Sequence, residues 1–109
     1  MELDKETQEK IQELQSYEQS LHAILMQRQA FQTELNETEN ALSEVSDSKD
    51  DVFKLVGNIM IKTDKKKTEE ELKKKKELLN LRLKSIEKQE ESLEKQAEEL
   101  KKEVMKKIK

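Results

Sequence analysis

The sequence predicts a mainly α-helical protein, an antiparallel two-helix coiled coil with one central β-hairpin. Two long stretches of charged helix-forming residues carry apolar residues at heptad spacing, and they flank a short apolar segment, VFKLVGNIMIK, at residues 52–62. The single glycine, Gly57, lies at the centre of that segment, and the chain has no proline to break a helix. We expect one domain over residues 1–109, with helix 1 at about 2–47, the hairpin at about 52–63 and helix 2 at about 68–108.

Composition argues against a compact globule. Only 32% of the residues are hydrophobic and 43% are charged, whereas a globular domain is normally about half apolar. Residues 1–50 hold 12 Asp and Glu against 4 Lys and Arg, while the remainder holds 13 against 18. Opposite net charges favour folding of the two halves against each other, with salt screening the attraction over about 8–10 Å. We therefore expect an extended shape.

Apolar residues recur in both halves at alternating steps of three and four, which is typical of a coiled-coil seam. The first half of this seam comprises Leu3, Leu14, Tyr17, Leu21, Ile24, Phe31, Leu35, Leu42 and Val45. The second half comprises Leu72, Leu79, Leu83, Ile86, Leu93, Ala97, Leu100 and Val104. Polar residues interrupt it at Thr7, Lys10, Arg28, Thr38, Lys76 and Glu90.

An antiparallel register centred on Gly57 aligns large apolar residues of the two halves. Its layers are Leu42 with Leu72, Leu35 with Leu79, Phe31 with Leu83, Leu21 with Leu93, Tyr17 with Ala97, and Leu14 with Leu100. A register shifted by one heptad is an alternative, but it separates Tyr17 from Ala97. Each buried Leu contributes roughly 1.5–3 kcal/mol, more than the 0–1 kcal/mol of an exposed ion pair.

The helix boundaries have local signals. Thr68 and Glu71 have capping-box spacing, which predicts that the second helix starts near Thr68. Ser and Asp accumulate around residues 46–48, where we expect the first helix to end.

The mid-chain segment is predicted to form two short strands joined by Gly57-Asn58. A leading glycine in this two-residue turn suits type II′. Pairing across that turn predicts one face with Val52, Lys54, Val56, Ile59, Ile61 and Thr63, and another with Phe53, Leu55, Met60 and Lys62. Both faces are largely apolar, although an isolated hairpin is marginally stable in water. Either the segment is only an apolar connector between the two helices, or several hairpins from several chains assemble through their free edges.

The distal helix ends differ from the rest of the seam, because the projected layers Lys10 with Val104 and Thr7 with Lys107 are polar. We expect loose packing there, with apolar side chains accessible and Met supplying an adaptable surface. The candidate binding residues are Met1, Leu3, Ile11, Leu14, Val104, Met105 and Ile108. Ordinary fraying without a role explains the same pattern equally well.

VFKLVGNIMIK, followed by TEEELKKKKELLNLRLKSIEKQEESLEK, resembles the β-type subunit of prefoldin, particularly its archaeal form. The resemblance runs through essentially the whole chain in order. KLVGN at the turn is its more specific part, and one hairpin instead of two points to the β type.

The resemblance implies an ATP-independent cytoplasmic chaperone built as a hexamer of two α-type and four β-type subunits. The hairpins of such hexamers form a double β-barrel platform from which coiled coils project. Non-native client proteins are held at the coiled-coil tips and passed to a group II chaperonin. The platform residues implied here are Val52, Phe53, Leu55, Val56, Gly57, Ile59, Met60 and Ile61. The tips would be the candidate binding residues given above.

Other functions have little support in the sequence. Cys is absent, His22 is the single histidine, and there is no phosphate-binding loop, so we expect no enzyme, metal site or cofactor. The lysine runs at 65–67 and 73–76 are interleaved with Glu69–Glu71, which favours a solvated face over nucleic-acid binding. No apolar stretch reaches membrane-spanning length. The stronger rival is a structural tether that oligomerises through its hairpin without binding clients.

Overall fold

Two long helices flank one β-hairpin, which confirms the predicted fold class. The computed structural model describes residues 4–108, so the predictions for Met1 and Leu3 lie outside the described residues. Helix α1 spans Lys5–Asp47, strands β1 and β2 span Val52–Val56 and Ile59–Thr63, and helix α2 spans Lys65–Ile108.

Helix α1 begins directly after Asp4, which acts as its N-cap. The main-chain N–H of Gln8 donates to the Asp4 carbonyl at 3.0 Å, and the N–H of Thr7 donates to the Asp4 Oδ1 at 2.7 Å. A side-chain oxygen at this position satisfies a donor that has no partner within the helix.

The C-terminal end of α1 is stabilised from outside the helix. Its last turn has no basic residue to interact with the carbonyl groups there. Lys65, from the first turn of α2, instead donates from Nζ to the Ser48 carbonyl at 2.8 Å. The Ser48 N–H donates to the Val45 carbonyl at 3.2 Å, and its hydroxyl donates to the carbonyl of Asp50.

Helix α2 begins at Lys65, one turn before the start near Thr68 that the capping-box spacing predicts. The Asp64 carbonyl accepts the first helical hydrogen bond, from the Thr68 N–H at 3.0 Å, which makes Asp64 the residue that precedes the helix. Because β2 ends at Thr63, a single residue separates strand and helix. Thr68 lies within the first turn, where its hydroxyl is 3.3 Å from that of Thr63.

The hairpin has the register expected from its alternation. Val56 pairs with Ile59 beside the turn, and Val52 pairs with Thr63 at the open end. Gly57 has a φ of 62°, and it is the only described residue with a positive φ. A positive φ at the first central residue alone is the pattern of a type II′ turn, which matches the twist of the strands.

The chain divides into two compact units. One comprises residues 30–83 and contains the hairpin with the adjoining helix segments; the other comprises the described residues within 1–29 and 84–109. In the first unit Leu35, Leu79 and Leu83 form a buried cluster with Phe31 packed against it. These four residues belong to the predicted layers Leu35 with Leu79 and Phe31 with Leu83. The Arg82 guanidinium covers the Phe31 ring at 5.6 Å from its centroid, a cation–π contact.

The second unit buries seam residues from both helices. Ile24, Ile86, Leu100 and Val104 are buried, while Leu14, Tyr17, Leu21, Leu93 and Ala97 are half-buried. Ion pairs of Lys10 with Glu103 and of Arg28 with Glu90 join helix segments that run in opposite directions. In each unit every predicted seam residue within 4–108 is buried or half-buried, including Leu42, Val45 and Leu72.

Candidate functional site

The hairpin exposes an unusual concentration of apolar side chains. Leu55 and Met60 are each 68% exposed, and they form a directly opposed pair. The other exposed apolar residues of the two strands are Phe53, Val56, Ile59 and Ile61. Only Val52 and Thr63, next to the helices, are half-buried. Single exposed apolar residues are normal on a surface, but a contiguous set on two short strands marks an interaction site.

Both faces of the hairpin contribute to this surface. One carries the Leu55–Met60 pair together with Phe53 and Lys62, and the opposite one carries the Val56–Ile59 pair with Lys54 and Ile61. Lys62 forms an ion pair with Asp51 at 3.3 Å, in which both side chains are largely exposed. Such a pair contributes little to stability, about 0–1 kcal/mol. The two-stranded sheet therefore has apolar residues on both sides and two unpaired edges.

The ends of α1 and α2 in the second unit are packed more tightly than the sequence suggested. Thr7, expected in a loose polar layer, is only 2% exposed. Val104 is 5% exposed, so the expectation of an accessible Val104 side chain is wrong for this conformation. The physical reason is that the Asp4 cap holds the first turn of α1 in place, and the short Thr side chain needs little space beside the seam.

The remaining candidate binding residues at these ends differ in accessibility. Ile11 and Leu14 are half-buried. Met105 and Ile108 are exposed, to 50% and 40% of their surface. Accessible apolar surface at the helix ends therefore belongs mainly to α2 within the described residues.

Lys10 joins the two helices at this end of the unit. Its Nζ lies 3.2 Å from Glu103 and 3.5 Å from Glu6, which is one turn earlier on α1. The hydrogen bond to Glu103 is the main cause of a raised Lys10 pKa. At the helix start the Thr7 hydroxyl, and then its main-chain N–H, lower the pKa of Asp4 because they favour the ionised carboxylate.

Arg28 and Glu90 form the second polar layer of the unit. The Arg28 Nη1 donates to the Glu90 Oε1 at 3.0 Å, and the Glu90 side chain is only 19% exposed. A shallow cavity of about 250 Å³ adjoins this pair and is lined by Leu21, His22, Leu25, Arg28, Glu90 and Glu94. His22 itself is exposed. Residues 4–108 contain no group of three or more His, Cys, Asp or Glu that could hold a metal ion.

Neither of the helices described within residues 4–108 is both long and apolar enough to cross a bilayer.

Sequence reasoning missed three features of these surfaces. It did not anticipate the Arg28–Glu90 pair, although both residues stood out as interruptions of the seam. It did not find the contact of Lys65 with Ser48, which depends on the chain reversal at the hairpin. It also overlooked the lysines around Met105, whose spacing in EELKKEVMKK places Lys101, Lys102 and Lys106 beside it on a helix.

The fold defines a class of coiled-coil subunits in which one exposed hairpin separates two long helices. A family model described as "Prefoldin subunit" matches residues 8–109. The chain therefore belongs to the prefoldin subunit family.

Individual relatives agree with this family. Prefoldin subunit beta of Pyrococcus furiosus is 40% identical over 62 residues, which are 55% of this chain and 53% of the relative. Prefoldin subunit beta of Archaeoglobus fulgidus is 37% identical over 73 residues, 65% of this chain and 63% of the relative. The chain spans about half the length of the first of these curated relatives.

A solved structure shows a similar fold over nearly the full length. The crystal structure of the prefoldin beta subunit from Thermococcus strain KS-1 has a TM-score of 0.88 and 34% sequence identity to this chain. The match covers 96% of this chain and 94% of that one.

Proposed function

We propose that this chain is a β-type subunit of a prefoldin hexamer with two α-type and four β-type subunits. The hexamer is an ATP-independent cytoplasmic chaperone that holds non-native proteins and passes them to a group II chaperonin. Family membership supports the general role, and the exposed hairpin supports assembly. The observation that carries the proposal is the apolar surface on both faces of the hairpin, with Leu55 and Met60 each 68% exposed.

Assembly explains why this surface is tolerated. An isolated two-stranded hairpin is marginally stable in water, and its edges pair readily with other strands. Burial of apolar area contributes roughly 25 cal/mol per Å², so covering several large side chains on each subunit favours association. Hairpins from neighbouring subunits supply both the cover and the missing strand partners.

Client holding is assigned to the helix ends. Met105 and Ile108 supply exposed apolar side chains on α2, and Ile11 and Leu14 add half-buried surface on α1. Each helix end binds a client weakly. Several helix ends on one complex raise the effective concentration of binding sites around a bound client, so that the complex holds the client by avidity. Weak contacts at each end also permit transfer to the next chaperone.

The assembly part is tested by mass. Analytical ultracentrifugation of this chain, alone and with an α-type prefoldin subunit, should give a hexamer in the mixture. Replacing Phe53 and Ile61 with Asp introduces a charge on each face of the hairpin and should yield smaller species. Replacing Gln19 and Gln89, which are exposed on the helices, with Asp serves as the control and should leave the mass unchanged. Unchanged mass for the hairpin variant would remove the hairpin as the assembly surface.

The holding part is tested by light scattering of a chemically denatured protein diluted without ATP. The mixed complex should suppress aggregation, and the variant with Met105→Ser and Ile108→Ser should assemble but suppress it poorly. A tether is the second candidate function, because the burial of Val104 reduces the apolar surface available at the helix ends. A correctly assembled wild-type complex that leaves scattering unchanged is the result expected of a tether.

A further inference from the structure

A basic groove surrounds Met105 on the outer surface of α2. It has a volume of about 340 Å³ and is lined by Glu98, Lys101, Lys102, Met105 and Lys106. Each of these residues lies three or four positions from another member of the set, which places them on one side of the helix. Half of the Met105 surface is exposed within the groove.

The described lining of the groove carries more positive than negative side chains. Lys101, Lys102 and Lys106 have no ion pair with any residue in the range 4–108, and all three are exposed. Glu103 is the nearest carboxylate in sequence to Lys102, but Lys10 already binds it at 3.2 Å. Glu98 is the only acidic residue of the lining. Three ammonium groups and one carboxylate leave a local excess of positive charge around an apolar centre.

We propose that this groove binds non-native polypeptide segments in which an apolar side chain is flanked by Asp or Glu. The inference rests on the proposed client-holding function and adds a sequence preference to it. Met105 offers a flexible, polarizable contact for an apolar side chain of variable shape. The aliphatic stems of the lysines extend that apolar surface, while their ammonium groups remain in water and pair with carboxylates of the client.

Charge complementarity favours this occupant over others. Segments flanked by Lys or Arg meet like charges at the groove, and neutral segments gain only the apolar contact. Because the ammonium groups are exposed, their attraction to a client is screened by salt over about 8 Å at physiological ionic strength. A preference for acidic flanks should therefore be strongest at low ionic strength.

Three fluorescent peptides that share one apolar core test the proposal on the complex assembled with the α-type subunit. One peptide has Glu on both flanks, one Gln and one Lys. Fluorescence anisotropy should show the Glu peptide binding about tenfold more tightly than the Gln peptide at low salt, with the Lys peptide weakest. High salt should reduce the difference. Equal affinities for the Glu and Gln peptides at low salt would overturn the proposal.

Two variants assign the preference to the groove. Replacing Lys101, Lys102 and Lys106 together with Gln should remove the Glu preference and leave Gln-peptide binding intact. Met105→Ser should weaken binding of all three peptides. The matched controls are the Gln variant of Lys84, Lys88 and Lys95, which removes three exposed lysines elsewhere on α2, and Met26→Ser, which alters an exposed methionine of α1. Neither control should change peptide affinity. If the preference for the Glu peptide survives replacement of Lys101, Lys102 and Lys106, the site of that preference lies outside the groove.

The remaining outcomes separate this inference from the function on which it rests. If the complex suppresses aggregation but binds Glu and Gln peptides equally, the groove preference is wrong and the holding function stands. If wild-type complex neither binds any peptide nor suppresses aggregation, both are wrong. A single-stranded oligonucleotide that binds more tightly than the Glu peptide, and loses affinity when the three lysines are replaced, would overturn the assignment to acidic polypeptide.

Discussion

The guanidinium of Arg28 donates a hydrogen bond to the carboxylate of Glu90 at 3.0 Å, although both residues occupy seam positions where apolar side chains are typical. In the register centred on Gly57, a slide of one heptad that places Glu90 against Tyr17 moves Arg28 and Glu90 about three helical turns apart. The opposite slide places Arg28 against Leu93 and leaves Glu90 within one turn of it. The pair therefore disfavours the first of these two shifted registers, as a polar layer does in other coiled coils.

Double substitution should reveal this coupling. Arg28→Leu and Glu90→Leu should each destabilise the chain because each leaves one charge without its partner, whereas the double variant should recover most of the lost stability. We expect a coupling energy of about 1 kcal/mol from a double-mutant cycle in urea unfolding.

The Glu34–Lys75 pair provides the comparison for that cycle. Its atoms are 3.3 Å apart, but both side chains are about half exposed. Its coupling should stay below about 0.5 kcal/mol, since water competes for both charges. Equal couplings for the two pairs would contradict a special role for the Arg28–Glu90 layer.

Lys65 should stabilise the end of α1. Replacing it with Met removes the donor to the Ser48 carbonyl, and no basic residue in the last turn of α1 takes its place. The expected loss is about 1 kcal/mol of unfolding free energy, together with faster amide hydrogen exchange in the last turn of α1.

Lys66→Met is the control for this change, because Lys66 is exposed and neighbours Lys65 in the first turn of α2. It should leave exchange in α1 unaltered. If the two variants behave alike, general loss of charge explains the effect and the Lys65 contact does not.

The sequence was most informative where one periodicity dominated. Alternation of apolar residues around Gly57-Asn58 determines the hairpin register, because a slip by one residue would exchange its faces. Heptad spacing likewise predicted which side of each helix is buried. Predictions failed where local signals competed: the capping-box spacing of Thr68 and Glu71 predicts a helix start at Thr68, but the helix begins at Lys65, directly after Asp64. The burial of Thr7 also escaped prediction, since it depends on the position of a neighbouring helix and not on the polarity of the residue.

Gly57 should be needed for its backbone conformation and not for lack of space. Its φ is 62°, and a Cβ at this position would have no heavy atom within 4 Å beyond Gly57 itself and its two chain neighbours. Gly57→Ala should therefore cost about 1–2 kcal/mol through backbone strain alone. Asn58→Ala is the control, since Asn58 has no positive φ and should tolerate the change.

Thermal unfolding of the complex assembled with the α-type subunit is the measurement for both turn variants. The Ala variant at Gly57 should melt at a lower temperature than the variant at Asn58. Similar melting temperatures for the two would show that the left-handed conformation at Gly57 is not what the turn requires.

Asp4 should make the start of α1 sensitive to acid. Hydrogen bonds from Thr7 lower its pKa below the usual 3.8. A carboxylate with a lowered pKa contributes stability that is complete above the usual pKa and is lost as the pH falls through the pKa of the folded state.

NMR titration of the Asp4 carboxyl carbon and the Thr7 amide should give one shared midpoint below 3.8. Asp4→Asn keeps a capping oxygen without a charge, so its Thr7 amide should not follow that transition, whereas Asp4→Ala should fray the first turn at every pH. A midpoint at or above 3.8, or an unchanged Thr7 titration in the Asn variant, would remove Asp4 as the acid-sensitive cap.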